Sequence, residues 1–322
     1  MRAAVVRSDG VRIEDVPRPV PKPDDVLVRV RASGLNRADL AVAAGHSHGA
    51  IGGTGTIVGM EFAGEVEEVG SAVRGIRAGD RVMCSGAGAY AEYAIADHGR
   101  VSPIPDTNMS FEQAATLPVA LQTMHDALVT NGRLAKGEAV LIQGASSGVG
   151  LMGMQIAKFM GARMVIGTST DPGRRARLAE YGADLALDTG AADWVDRVVE
   201  ATDGGVDLII DQISASVANQ NLRAARVLGR IVNVGRLGGS RGEFDFDLHA
   251  MRRISYIGVT FRTRSLDEVR EIVKRMRSDL WPALEQGRLT LPIDRVFPLD
   301  QAAEALAHMQ ANRHFGKVVL AG

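Results

Sequence analysis

The apolar positions of this chain change their rhythm along its length. In the first third, short apolar runs at residues 3–7, 26–33, 62–69, 81–84 and 89–95 are separated by Pro and Gly. Runs of this length bounded by turn residues predict strands, so the region reads as β-rich. Between them lie residues 17–23, with proline at every second position, and residues 45–59, which are rich in glycine and carry no Asp, Glu, Lys or Arg. A loop of that length inside a compact domain is as a rule functional or mobile.

In the middle third, aliphatic runs at residues 139–143, 163–168, 185–188, 206–211, 230–234 and 254–260 alternate with helical patterns at 149–160, 172–181, 193–202 and 217–228. Strand–helix alternation predicts a parallel sheet covered by helices on both faces. Such sheets bind ligands beyond the carboxyl ends of their strands, where Asp211 and Gly235 fall here. In the final segment Ser265 and Glu268 have the spacing of a capping box, and Leu266, Val269, Ile272, Val273, Met276 and Leu280 recur at helical intervals. A second helix at 301–310 and a closing strand at 317–321 follow.

Length and composition narrow the class. A chain of 322 residues is expected to hold two domains. Apolar residues at 46% and charged residues at 23% exclude a disordered chain. With 37 Lys and Arg against 38 Asp and Glu, the net charge of −1 gives no electrostatic reason to bind nucleic acid or an anionic membrane. Cys84 is the one cysteine, which excludes an internal disulfide and any cysteine-rich zinc site. The apolar stretch after Met1 is too short for a signal peptide. Residues 139–157 carry no charge, but four glycines, paired serines and two glutamines there predict strand, turn and helix rather than a membrane span. The expected location is cytoplasmic.

The chemistry concentrates in the segment from Gln143 to Gly150, Gln-Gly-Ala-Ser-Ser-Gly-Val-Gly, which follows an aliphatic strand and opens a helix. A helix N-terminus offers free N–H groups and a favourable dipole to a pyrophosphate, and glycine lets backbone approach it. Ser146, Ser147, Gly148 and Val149 are therefore candidate dinucleotide-binding residues. The Gly-xxx-Gly-x-Gly spacing also occurs in short-chain dehydrogenases, but none of Tyr90, Tyr93, Tyr181 and Tyr256 has the lysine four residues later that their catalytic pair needs. An NAD site places an acid about 20 residues past the glycines. Here that place holds Thr168, Ser169 and Thr170, followed by Arg174 and Arg175. Hydroxyl and guanidinium groups suit a 2′-phosphate, so NADPH is favoured over NADH.

Taken in order, several segments resemble the medium-chain dehydrogenase/reductase superfamily, in its zinc-free quinone-oxidoreductase (zeta-crystallin-like) branch. They are Ala32 to Asp39 (Ala-Ser-Gly-Leu-Asn-Arg-Ala-Asp), Gly59 to Gly64 (Gly-Met-Glu-Phe-Ala-Gly), Gly79 to Val82, Gly88 to Tyr93, Ala145 to Gly150, and Gly316 to Leu320 (Gly-Lys-Val-Val-Leu). The resemblance implies an α/β fold: a GroES-like β-barrel catalytic domain from residues 1–121 and 263–322, and a Rossmann domain, a doubly wound parallel sheet, from 122–262. It implies hydride transfer in a cleft between the two, and a homodimer joined through the strand at 254–260.

The zinc members of the superfamily hold their metal with Cys, His and Cys. This chain has Gly34 and Asn36 in the first cysteine region and Met60 in place of the histidine, with Glu61 retained. No zinc is expected, and the His46 and His48 pair lacks a third ligand. Without a Lewis acid the easier reaction is conjugate reduction, with a hydrogen-bond donor meeting the charge that grows on the substrate oxygen. Asn36 is the candidate for that catalytic role; a loop-organising role is the competing expectation. By resemblance Thr123, Gly235, Arg236, Leu237, Phe261 and Arg262 contact the cofactor. The family's tyrosine near the position of Ser47 is missing. The expected activity is NADPH-dependent reduction of a small quinone or α,β-unsaturated carbonyl. The alternatives are an enoyl-thioester reductase and a crystallin-like protein that binds cofactor without catalysis.

Overall fold

A computed structural model describes every residue but Ala50, which falls inside the glycine-rich loop predicted at 45–59 and lies outside the described residues. The chain divides into two compact units, Met1–Val119 with Phe261–Gly322, and Ala120–Thr260.

The first unit opens with β1 (Arg2–Arg7), β2 (Gly10–Asp15) and β3 (Asp25–Gly34), then α1 (Arg37–Ala43), β4 (Glu61–Val69), β5 (Arg81–Ser85), β6 (Tyr93–Asp97), β7 (Val101–Pro103) and α2 (Phe111–Ala114). Helix α3 (Pro118–His125) runs into a π-helical turn, Asp126–Asn131, at the start of the second unit. There follow β8 (Ala139–Ile142), α4 (Gly148–Phe159), β9 (Met164–Thr168), α5 (Pro172–Ala176), β10 (Leu185–Leu187), α6 (Trp194–Thr202) and β11 (Val206–Asp211). Then come α7 (Ala218–Ala224), β12 (Ala225–Asn233), α8 (Phe246–Arg252) and β13 (Ser255–Gly258). The chain returns to the first unit with α9 (Leu266–Glu285), β14 (Ile293–Pro298), α10 (Ala302–Gln310) and β15 (Lys317–Ala321).

The second unit is a six-stranded sheet in the order β10-β9-β8-β11-β12-β13, with every pair parallel. The order reverses between β8 and β11, and a dinucleotide-binding sheet takes its ligand at such a switch point. The strands are continuous aliphatic runs because both faces are covered. Ala139, Leu141, Ile166, Ile209 and Ile231 pack with Trp194, Val198 and Leu222.

In the first unit β14-β15-β3-β4-β5-β7 form one sheet, and β6 pairs with β3. Its core gathers Val28, Phe62, Tyr90, Val318 and Leu320 among others. The Ser265 capping box forms, with the Ser265 hydroxyl accepting from the Glu268 N–H and the Glu268 carboxylate accepting from the Ser265 N–H.

Three sequence expectations change. The helix predicted at 217–228 stops at Ala224, and Ala225 already pairs with Val206 as the start of β12. Pairing with β11 at Ala225 and again at Arg230 replaces the helix, and Leu228 between them takes φ +66°, which a helix does not allow. The helix predicted at 172–181 breaks at Arg177 into α5 and a separate 3₁₀ turn, Leu178–Tyr181, closed by Gly182 at φ +96°. In the glycine-rich stretch, residues 55–58 run along β1: Gly55 N–H donates to Val6 C=O and Val58 N–H to Ala4 C=O, at 2.8 and 3.0 Å. Among the described residues no helix is long and apolar enough to cross a membrane.

Candidate functional site

Buried polar groups gather in both units. In the second they are built around the turn between β8 and α4. Gly144 takes φ +66°, which a side chain would strain. At Gly150 a Cβ would stand 2.7 Å from both the Gly144 carbonyl oxygen and the Ala145 Cα, so the helix meets the turn more closely than any side chain permits. Ser147 caps α4: its Oγ accepts from the Gly150 N–H at 3.0 Å and lies within donating distance of Gly144 C=O and Gln212 Oε1. Gly148 is the first helical residue and is buried, and Val149 is half-buried.

Two glutamines brace this turn. Gln212 donates through Nε2 to Gln143 C=O at 3.1 Å. Gln143 donates to Asn221, and Asn221 donates to the buried Asp211 carboxylate. Burial pushes the Asp211 carboxyl up, against the Ser214 and Ile213 N–H groups and the Asn221 amide that favour its charge.

Thr168 joins this scaffold, which corrects its expected role. Its hydroxyl donates to Gln143 Oε1 at 2.7 Å and accepts from Gly144 N–H at 3.1 Å, and the residue is only 2% exposed. The side chain therefore holds the turn and is not presented to a ribose phosphate. Of the other residues predicted there, Ser146, Ser169 and Arg175 are in contact. Ser169 Oγ lies 3.1 Å from Ser146 Oγ, and Thr170 is exposed beside them. Arg175 is committed, donating to Ser169 C=O at 2.8 Å and to Asp188 at 3.1 Å. Arg174 is held more loosely, with Nε 3.7 Å from Asp171, the residue whose carboxylate caps α5.

Gly235, Arg236 and Leu237 follow β12, where Gly235 N–H and Leu237 N–H donate to the carbonyls of Asp211 and Gln212. A Cβ on Gly235 would lie 2.6 Å from Gln212 C=O. Leu237 is half exposed. Thr123 lies on α3 and is half-buried. Phe261 and Arg262 belong to the first unit, where the Arg262 backbone would be about 3.1 Å from a Cβ on Gly49. Arg262 also adds to the burial that lowers the pKa of His48.

The first unit's polar group is buried. Lys317 Nζ donates to Leu35 C=O at 2.7 Å, Asn36 Oδ1 at 3.0 Å and Glu61 Oε1 at 2.5 Å. Asn36 Nδ2 donates to Glu61 Oε1 at 2.8 Å, and Glu61 Oε2 accepts from Val119 N–H at 2.8 Å. Gly34 makes room for this carboxylate, since a Cβ there would stand 2.7 Å from Glu61 Oε1 and 2.3 Å from Ala115 C=O. Asn36 N–H and the Tyr90 hydroxyl both donate to Asp39 Oδ2, at 2.7 and 2.8 Å, while Oδ1 of that buried carboxyl has no partner. Burial raises the Asp39 pKa to about 7, against the two donors and Lys317.

The expectation of Asn36 as a group by the reacting atoms thus meets a residue whose amide is largely engaged inside the protein. Lys317 and Tyr90 are the members that sequence reasoning passed over. A lysine beginning the apolar run Lys317-Val318-Val319-Leu320 was the available signal.

These residues do not fit a zinc ion. Met60 stands where the zinc members have histidine, and an ammonium occupies the open side of Glu61. Among the described residues no three His, Cys, Asp or Glu side chains are grouped to hold a metal.

Comparison with known proteins places this pair of units. The model of the alcohol dehydrogenase GroES-like domain matches residues 22–106, and that of the zinc-binding dehydrogenase family matches residues 148–278. The quinone oxidoreductase of Mus musculus is 30% identical over 298 residues, covering 90% of this chain and 87% of the mouse protein. A phenolphthiocerol/phthiocerol polyketide synthase polypeptide of Mycobacterium tuberculosis is 30% identical over 315 residues; the match takes in 98% of this chain but only 14% of that much longer protein. A mycobacterial protein solved in complex with NADPH superposes with a TM-score of 0.88 at 26% identity, over 100% of each chain. The chain belongs to the medium-chain dehydrogenase/reductase superfamily, in its quinone-oxidoreductase-like branch.

Proposed function

We propose that the protein is a zinc-independent, NADPH-dependent reductase of quinones or α,β-unsaturated carbonyl compounds. The observation that carries this reading is the Lys317–Glu61–Asn36 cluster, in which an ammonium and an amide stand on Glu61. With no Lewis acid to form an alkoxide, alcohol oxidation lacks its usual activation, while conjugate reduction needs only a donor for the growing charge on oxygen. When bound, the nicotinamide supplies the hydride for the β-carbon or quinone ring. Asn36 Nδ2 then donates to the substrate oxygen.

On the cofactor side, Ser146, Ser147, Gly148 and Val149 receive the pyrophosphate on the α4 N-terminus. Ser169, Thr170, Arg174 and Arg175 take the 2′-phosphate. Of the two arginines Arg174 is the better placed, because Arg175 already serves Asp188 and Ser169. Thr123 and the stretch from Gly235 to Leu237 are further cofactor contacts in the second unit, and Phe261 and Arg262 are the contacts the resemblance assigns to the first. NADPH in the mycobacterial neighbour supports the choice of cofactor. Arg174→Ala is expected to weaken NADPH binding about tenfold and leave NADH unchanged, measured by cofactor fluorescence; equal loss for both would overturn its assignment.

A homodimer through β13 accompanies this reading. That strand ends the sheet, and Tyr256, Leu228, Phe246 and Met251 are exposed in the same unit. Light scattering should give twice the chain mass.

NADPH oxidation by the purified protein with a quinone, an enone and an enoyl thioester tests the reaction. Turnover of the quinone or enone is expected. Turnover of the thioester alone would favour the enoyl-thioester alternative, which the polyketide synthase match supports. Cofactor binding without any turnover would refute the reading.

A further inference from the structure

We infer that Lys317 is a positioning residue for the reduction: together with Glu61 it fixes which way round the Asn36 amide stands. The inference rests on the reading of Asn36 as the donor to the substrate oxygen, and it names what orients that donor.

An asparagine amide is close to symmetrical in shape, so its neighbours alone decide which end donates. Here Oδ1 accepts from the Lys317 ammonium and Nδ2 donates to the Glu61 carboxylate. Turning the amide over would set an N–H against an ammonium and an oxygen against a carboxylate, two repulsive contacts in a buried place. Only one amide orientation is compatible with the ion pair.

Lys317 has little freedom to permit another. Its three N–H bonds go to Leu35 C=O, Asn36 Oδ1 and Glu61 Oε1. The strand pairing delivers it there: Val319 pairs with Gly34, and Leu35 N–H donates to Val318 C=O at 2.9 Å. Of the two Asn36 N–H bonds, one is satisfied by Glu61. The other finds only Gly34 C=O at 3.5 Å, the limit of a hydrogen bond. That second N–H is the donor left for a substrate oxygen. The ion pair itself is an expensive way to hold strands together, since an apolar pair of similar volume serves stability as well or better.

The test removes both charges together, so that no buried ion is stranded. Lys317→Met/Glu61→Gln leaves neutral side chains around Asn36, and the amide can then take either orientation. Melting temperature, NADPH dissociation constant and steady-state kinetics are measured on it, on Asn36→Ala and on the triple variant. Expected are a folded protein, NADPH affinity within about twofold of wild type, and a kcat lowered by at least about twofold, the loss when two amide orientations are equally populated. In the triple variant the pair should cost nothing beyond Asn36→Ala, because it acts through that amide. A folded double variant with wild-type kcat would overturn the role of Lys317.

Should Asn36→Ala itself leave kcat unchanged, the reading of Asn36 fails and this inference with it. Slowing by Asn36→Ala alone, without slowing by the double variant, removes only Lys317. If the double variant does not fold, the side-chain amide protons of Asn36 in the wild-type protein decide by NMR. One slowly exchanging proton and one that shifts when an unreactive enone analogue binds are expected. Two protons exchanging alike, insensitive to the analogue, would overturn the proposal.

Discussion

Asp39 offers a test of the buried cluster that needs no substrate. Its carboxyl lies in the core with a pKa raised to about 7 from 3.8, chiefly by burial. In the unfolded chain the group ionises near 3.9. Between these values the folded protein binds one more proton than the unfolded chain, so stability falls as pH rises. The contribution is fully present below about pH 4 and is lost as pH rises to about 7, above which the loss is constant. At 1.36 kcal/mol per unit, a gap of about three units is worth about 4 kcal/mol.

Asp39→Asn removes the titration and keeps the geometry. The amide oxygen can still accept from Asn36 N–H and Tyr90 OH, as Oδ2 does now. The amide nitrogen takes the place of Oδ1, which has no partner, at a cost of about 1–3 kcal/mol that does not vary with pH. Urea unfolding of both proteins from pH 4 to 9 therefore separates the two effects. The variant should be the less stable at pH 4 and gain on wild type by about 4 kcal/mol by pH 8, with the change centred between pH 4 and 7. Other titrating groups cancel in the difference. Parallel curves over the whole range would refute the argument, because they would mean that Asp39 ionises in the fold as readily as in water.

Two further outcomes follow from the packing. Gly34→Ala places a methyl group 2.7 Å from Glu61 Oε1 and 2.3 Å from a backbone oxygen, so it should destabilise by about 1–3 kcal/mol in urea unfolding and slow turnover with it. Thr168→Val deletes the hydroxyl that joins Gln143 to the Gly144 N–H, so NADPH and NADH should weaken together, by about three- to tenfold in fluorescence titration. A loss confined to NADPH would return Thr168 to the 2′-phosphate.

The division between what was legible in the chain and what was not follows the range of the interactions. Strands such as Val206–Asp211 and Lys317–Ala321, the capped helix at Ser265 and the glycine turn before α4 were readable because each is set by neighbours a few residues away. Sheet class was readable for the same reason, as alternation of two local periods. Motifs in a fixed order then identified the family.

Side-chain partnership was not readable in this way. Lys317 meets Glu61 across 256 residues, and nothing periodic in the sequence marks that meeting. Thr168 stood at the right distance from the glycines to suggest a phosphate contact, yet Gln143 and Gly144 claim its hydroxyl from the neighbouring strand. The helix predicted through residue 228 ended early because β11 offered hydrogen bonds that the isolated segment does not see. Local pattern thus carried the elements and the cofactor turn. Which polar groups are spent inside the fold, and which remain to act on a ligand, depended on contacts that exist only once distant strands have paired.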